Sequence, residues 1–271
     1  MYTKYMPYTL LYIYYYTDRL SIWLSVDPLA DKYPHLSPYA YCADNPVNRI
    51  DPDGRDVWEI NDQGEIVNRI KDKTQDAFYM VSKDADGNYQ RTFTTDAEGN
   101  KNYNFISFKY GTVESQRTTA INSTDSYDTY KVRGDANGTQ MFEFMSQNTI
   151  VEWAQTKTGV KGDKGLNFIT TSHDVDKERG ISNLYRGQLQ YKYTVREINH
   201  NHPNNTPYPS GSFVSKTGDK IGEWGDVGFS SIITNHRKAN RWNRTTFGIY
   251  LPDSRSYIKY GPNSILKDYR R

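Results

Sequence analysis

Cysteine is nearly absent from this chain, because Cys42 is the single cysteine among 271 residues. One cysteine cannot form an internal disulfide or a zinc site built on several thiolates. Net charge is also nearly absent, since 34 Lys and Arg oppose 32 Asp and Glu. This balance provides no broad positive surface for nucleic acid or for an anionic membrane, and we expect neither as a partner.

Long apolar segments are lacking as well. The aromatic start, residues 1–16, is interrupted by Thr and Tyr and is too short and too polar to span a membrane. It also has no small-residue cleavage site, so it does not read as a signal peptide. We expect Met1 to lie inside a longer reading frame. What the chain has instead is tyrosine, with 24 residues, and an abundance of Tyr and Thr favours strands.

Residues 55–136 read as a β-hairpin-rich region. Alternating apolar residues flank three glycine-containing turns, at 61–64, 84–88 and 96–100. No catalytic set of residues stands out here, and the region is predicted to extend or cover the sheet that follows.

Residues 137–271 predict an α+β fold. Helices are predicted at 141–148, 181–188 and 226–241. Strands are predicted at 149–155, 166–171, 191–200, 246–251 and 256–260. Helices and strands mixed in this order are typical of an α+β domain.

The most informative motif is His200-Asn201-His202-Pro203, at the end of the strand predicted over 191–200. Residues two apart in a strand point to the same face, so the two imidazoles should lie side by side. A hydrolytic zinc site needs three protein ligands and one open position. His200 and His202 supply two ligands, and a carboxylate should supply the third.

Asp226, which follows the loop after the two histidines, is our choice for the third ligand. Asp219 and Glu223 lie in the same loop and stay open as alternatives. The cofactor predicted from this set is Zn²⁺.

The succession of a Glu, then His200-x-His202-Pro203, then Pro209-Ser210 and an Asp resembles the JAB/MPN (JAMM) metalloprotease motif. The resemblance implies a mixed β-sheet with flanking helices, of the cytidine-deaminase-like type, and a zinc peptidase or isopeptidase acting on a protein or peptide. It implies that Glu152 is the general base and that Ser210 donates to the oxyanion. The chain departs from the family in one respect, since the family places its Asp three residues after the Ser.

Two other glutamates are alternatives for the base. Glu143 lies on the preceding predicted helix, and Glu197 directly precedes the motif. Glu197 is three and five residues from the two histidines, so it should face the opposite side of the strand.

A second resemblance covers residues 18–54. Asp-Pro-Leu-Ala at 27–30, Ser-Pro-Tyr at 37–39 and Asp-Pro-Asp-Gly at 51–54 are similar to the end of an RHS-repeat-associated core. It implies that residues 1–54 are the tail of an RHS β-shell and that residues 137–271 are a toxin domain. The toxin would be delivered to a target cell as the C-terminal part of a larger protein, and a cognate immunity protein would block it.

Two other functions are considered. Asn199-His200-Asn201-His202 superficially matches His-Asn-His (HNH) nucleases, but that family spreads its residues over a ββα unit. A non-catalytic MPN-like scaffold is the other alternative, although such scaffolds lack the ligand residues that are present here.

Overall fold

The computed structural model describes residues 56–72, 74–211, 225–239 and 245–264, and the two short paired strands β1 (Tyr16–Thr17) and β2 (Ile22–Trp23). The chain divides into two compact units, Met1–Asp53 and Gly54–Arg271. Apart from β2, the segment 18–54 that resembles an RHS core lies outside the described residues. In the described part of the chain, no helix is long and apolar enough to cross a membrane.

The second unit begins with a small hairpin sheet, and the turns predicted at 61–64 and 84–88 lie between its strands. Its strands are β3 (Asp56–Ile60), β4 (Ile66–Lys71), β5 (Gln75–Lys83), β6 (Tyr89–Arg91) and β9 (Phe105–Lys109). Strand β5 is central, because it pairs with β3, β6 and β9. A separate ribbon joins β7 (Phe93–Thr95) to β8 (Lys101–Tyr103).

A seven-stranded mixed sheet forms the body of the unit. Its strands are β10 (Val113–Ala120), β11 (Ser126–Arg133), β12 (Trp153–Thr158), β13 (Leu166–Thr171), β14 (Val195–Asn201), β15 (Thr246–Leu251) and β16 (Ser256–Tyr260). They lie in the order β10-β11-β13-β12-β14-β15-β16, with β14 and β15 parallel and the other pairs antiparallel. The α+β class and the closing hairpin are thus confirmed. The sheet begins at Val113, so two of its strands come from the region predicted as a hairpin-rich extension.

The helices are α1 (Asp135–Asn148), α2 (Arg179–Leu184), α3 (Gln190–Lys192) and α4 (Gly225–Ala239), and a π-helical turn, Tyr185–Leu189, joins α2 to α3. Helix α1 starts six residues before the predicted 141. Residues 135–138 form its first turn, because the reversal before the helix occurs at Gly134, whose φ is 88°.

Two predicted strands have different bounds. The strand predicted at 149–155 begins only at Trp153, since the backbone N–H of Glu152 donates to the Asp174 carbonyl outside the sheet at 2.8 Å. The strand predicted at 191–200 begins at Val195. Residues 191 and 192 are instead helical, because α3 continues to Lys192, with Leu189 buried and its carbonyl accepting from the Tyr193 N–H at 3.1 Å.

Two apolar clusters cover the two faces of the mixed sheet. One joins the hairpin sheet and α1 to the mixed sheet, and includes Trp58, Phe78, Tyr130, Phe142 and Trp153. The other packs α2, the π-helical turn and α4 against the opposite face, and includes Leu184, Leu189, Ile198, Ile233 and Phe247. Burial on both faces fixes the carboxyl end of β14, where the histidine motif lies.

Candidate metal centre

The two histidines of the motif converge at the end of β14. His200 is the sixth residue of the strand, and His202 follows its last residue in extended backbone, with its N–H donating to the Tyr250 carbonyl at 3.1 Å. Both are buried, and their Nε2 atoms are 3.0 Å apart. The Nδ1 atom of His202 contacts the Thr206 carbonyl at 2.8 Å. That contact makes Nδ1 the protonated nitrogen and turns the lone pair of Nε2 toward His200.

Asp226 brings a carboxylate to the same point from the first turn of α4. Its Oδ1 lies 3.3 Å from His200 Nε2, and its Oδ2 lies 3.7 Å from His202 Nε2. Burial opposes the ionisation of Asp226, but His200 and His202 hold its pKa well below the usual range.

Ser210 fixes Asp226 through reciprocal hydrogen bonds. The Ser210 N–H donates to Asp226 Oδ2 at 2.8 Å, and the Asp226 N–H donates to Ser210 Oγ at 2.9 Å. Gly225, with φ 65°, precedes Asp226, and a Cβ there would collide with the Ser210 hydroxyl. Glycine is therefore required for α4 to begin this close to Ser210.

The separations among the three donors fit zinc. Tetrahedral ligands at about 2.0–2.1 Å from one ion lie about 3.3 Å apart. The two Nε2 atoms are 3.0 Å apart, and each lies near a carboxylate oxygen of Asp226, at 3.3 Å from Oδ1 for His200 and at 3.7 Å from Oδ2 for His202, so these contacts are close to that value. The donor types, two neutral imidazoles and one carboxylate, are those of hydrolytic zinc enzymes, which leave a fourth position open. His200, His202 and Asp226 therefore form a set that would hold zinc.

Glu152 lines the same cavity, just before β12. Its backbone carbonyl accepts from Thr171 Oγ1 at 2.9 Å, and its Oε2 accepts from the Glu178 N–H at 2.9 Å. Burial, followed by the charges of Asp226 and Glu178, raises the pKa of Glu152 to about 9. The carboxylate of Glu152 is thus a stronger proton acceptor than that of an exposed glutamate.

Two residues that position Glu152 were not singled out from the sequence. Asn201, between the two histidines, accepts from the Trp153 N–H at 2.5 Å and donates to the Val151 carbonyl at 3.3 Å, so it holds the backbone on both sides of Glu152. Glu178 caps α2 by accepting from the N–H groups of Gly180 and Ile181. The capping position of Glu178 could have been read from the sequence, but its contact with Glu152 could not.

The alternative residues lie elsewhere or outside the described residues. Glu143 accepts from Tyr257 Oη at 2.9 Å, and Glu197 pairs with Lys157 Nζ at 2.9 Å; neither lines the cavity. Asp219 and Glu223 lie outside the described residues.

The cavity has a volume of about 490 Å³. One end holds the zinc-ligand candidates, Glu152 and Ser210. The rest is lined by residues of α2 and α4, by Asn204, Thr206 and Tyr208 of the loop after the histidines, and by Ile198 and Tyr260 of the sheet. A set of candidate metal ligands that opens into a cavity of this size is typical of a metal-dependent hydrolase.

Residues 130–231 match the model of a family described as JAB-like toxin 1. This stretch runs from β11 into α4, and it contains all five predicted site residues. This part of the chain is therefore similar to a JAB-like toxin domain. Neither the curated proteins nor the solved structures contain a match to the chain.

Proposed function

We propose that this chain is a zinc-dependent JAB/MPN-like peptidase or isopeptidase that acts as a toxin. The observation that carries the proposal is the meeting of His200, His202 and Asp226 with Glu152 in one cavity. The similarity of residues 130–231 to a JAB-like toxin supports the toxin function.

In this proposal His200, His202 and Asp226 hold the ion. When bound, zinc polarises the substrate carbonyl and lowers the pKa of a water to about 7. A positive charge at the three donors also lowers the pKa of Glu152 from about 9, because an opposite charge favours the carboxylate. With the ion bound, Glu152 would thus be more readily available as a proton acceptor near neutral pH.

Glu152 transfers the proton in the reaction. Water adds to the carbonyl carbon while the Glu152 carboxylate accepts a proton from that water. The C–N bond then breaks, and Glu152 gives the proton to the leaving nitrogen. The hydroxyl of Ser210 already accepts the Asp226 N–H, so its own proton remains to be donated to the developing oxyanion.

The wider proposal includes the RHS context. The toxin would form the C-terminal part of a larger protein with an upstream RHS β-shell, and would be delivered into a target cell. A protein encoded next to it would act as its immunity protein and would block the cavity.

The test compares zinc content and proteolysis in the whole chain and in Glu152→Gln. We expect one zinc per chain in both, and a roughly 10²–10⁴-fold lower cleavage rate in Glu152→Gln, because the variant loses the proton acceptor but no zinc ligand. Zinc is measured by elemental analysis, and cleavage by mass-spectrometric detection of new amino termini in a bacterial lysate. Glu143→Gln is the matched control, since Glu143 does not line the cavity.

Other outcomes point to other functions. Loss of zinc in Glu152→Gln would make Glu152 a ligand. Degradation of plasmid DNA or total RNA without proteolysis would favour the nuclease. Zinc binding without either activity would favour the scaffold.

A further inference from the structure

Three apolar side chains, Ile181 of α2 and Phe229 and Ile232 of α4, form part of the cavity wall beyond the zinc-ligand candidates. Charged and polar side chains of the same region also line the cavity: Lys177, Arg179, Ser182 and Arg186. Phe229 is partly buried against Tyr185, with the two ring centroids 6.0 Å apart. Ile232 is 48% exposed, although large aliphatic side chains on helices are usually turned toward the core.

The spacing along α4 relates this wall to the reacting centre. Asp226, Phe229 and Ile232 follow one another in α4 at intervals of three residues, and all three line the cavity. At 1.5 Å rise per residue, Phe229 lies about 4.5 Å and Ile232 about 9 Å along the helix axis from Asp226. An extended peptide advances about 3.3 Å per residue. If its cleaved bond lies at the zinc-ligand candidates, side chains within about three residues of that bond reach this wall.

We propose that Ile232, with Phe229 and Ile181, forms a specificity subsite for a large apolar side chain of the peptide substrate. The subsite binds a leucine, isoleucine, phenylalanine or methionine within three residues of the cleaved bond. Burial of that side chain against Ile232 removes apolar surface of both partners from water, which is the driving force for selection. The inference rests on the proposed peptidase function.

The chain offers a matched control for Ile232. Ile150 is the same residue type and is also 48% exposed, but it does not line the cavity. Because both side chains are half exposed, replacing either by Asp should leave the core intact. Thermal unfolding of both variants checks this, and Ile232→Ala provides a milder change at the same position.

The first readout is cleavage of a peptide library prepared from a bacterial proteome by the zinc-loaded whole chain. We expect large apolar residues to be enriched at one position within three residues of the cut. Ile232→Asp should lower kcat/KM for such peptides roughly 10-fold and flatten the preference, whereas Ile150→Asp should change neither. Cleavage without enrichment, or equal losses in both Asp variants, would overturn the subsite.

The second readout does not depend on turnover. Two dye-labelled Gly/Ser peptides that differ in a single Leu or Ala are titrated by fluorescence anisotropy against zinc-loaded Glu152→Gln, alone and combined with Ile232→Asp or Ile150→Asp. The subsite is supported if the Leu peptide binds more tightly than the Ala peptide, and if this difference is lost with Ile232→Asp and kept with Ile150→Asp. This result supports the subsite even if the native chain cleaves no peptide. In that case the peptidase proposal fails and the subsite does not. Equal or absent binding of both peptides without selective cleavage would overturn the subsite.

Discussion

Two pairs of a histidine and an aspartate lie in this domain with nearly the same separation. His173 Nε2 is 3.4 Å from Asp128 Oδ2, and His200 Nε2 is 3.3 Å from Asp226 Oδ1. Their surroundings differ. His173 has an oxygen acceptor at each ring nitrogen, because its Nδ1 also contacts the Gln63 carbonyl at 3.1 Å. At His200 the neighbours of Nε2 are another imidazole nitrogen and a carboxylate, so three possible metal-ligand atoms converge on one point.

This difference separates a structural histidine from a candidate metal ligand. The two oxygen atoms around His173 are satisfied by a protonated imidazole, which donates from both nitrogens. The two imidazole nitrogens and the carboxylate around His200 face one point, where a shared cation can satisfy all three. The kind of atoms around each histidine therefore distinguishes the two sites, whereas the distance from His to Asp does not.

Zinc affinity should separate the two histidines most strongly. We expect His200→Ala to weaken zinc binding by more than about 100-fold, because it removes a ligand. Loss of a residue that only hydrogen-bonds to a ligand typically weakens metal binding by roughly 10–100-fold. His173→Ala should leave the affinity unchanged. Chelator competition measures both, and equal zinc affinity in both variants would rule out His200 as a ligand.

Stability of the zinc-free protein should show the reverse order. His173→Ala leaves the buried Asp128 without its imidazole partner, and we expect a loss of about 1–3 kcal/mol in the free energy of unfolding. His200→Ala should cost less in the presence of chelator, since Asp226 is less buried than Asp128 and keeps the Ser210 N–H as a donor. Urea denaturation tests this order, and a larger loss for His200→Ala would contradict it.

Ser210→Ala tests how α4 is anchored at the centre. The variant removes the hydroxyl that accepts the Asp226 N–H, and a helix-terminal loss of this kind costs about 1 kcal/mol. We expect that decrease in stability and a weaker zinc affinity, because Asp226 is held less firmly. Ser182→Ala, in α2 and also lining the cavity, is the control. Unchanged stability in Ser210→Ala would show that the hydroxyl does not anchor α4.

The smallest expected effect is on the pH dependence of stability. Burial lowers the pKa of His173, but the hydrogen bond and the charge of Asp128 outweigh it, so the pKa is raised. The protonated form is therefore favoured by folding, and its contribution is full below the unfolded pKa of about 6.5 and is lost as pH rises through the folded pKa. We expect His173→Gln to lose less stability than the native chain between pH 6 and pH 8. Parallel melting curves over this range would contradict the prediction.

The local sequence pattern was enough to predict the hairpins and the convergence of the two histidines. The turns at 61–64, 84–88 and 96–100 depend on glycine within a few residues, and the closing strands β15 and β16 have the predicted bounds. The convergence of His200 and His202 follows from the period of two in extended backbone. The start of α1 and the bounds of the strand predicted at 149–155 were misjudged, because distant contacts decide them.

The sequence by itself therefore determined the α+β class, the His pair and a short set of candidate carboxylates. Only the tertiary structure decided which carboxylates meet the histidines, since Asp226 is 24 residues and Glu152 is 50 residues from His202 along the chain. It brought Asn201 to the backbone around Glu152, and it turned Glu143 and Glu197 toward other partners. The physical reason is that the sheet order and the packing of α4 against it set these distances, and neither is encoded in the spacing of a local motif.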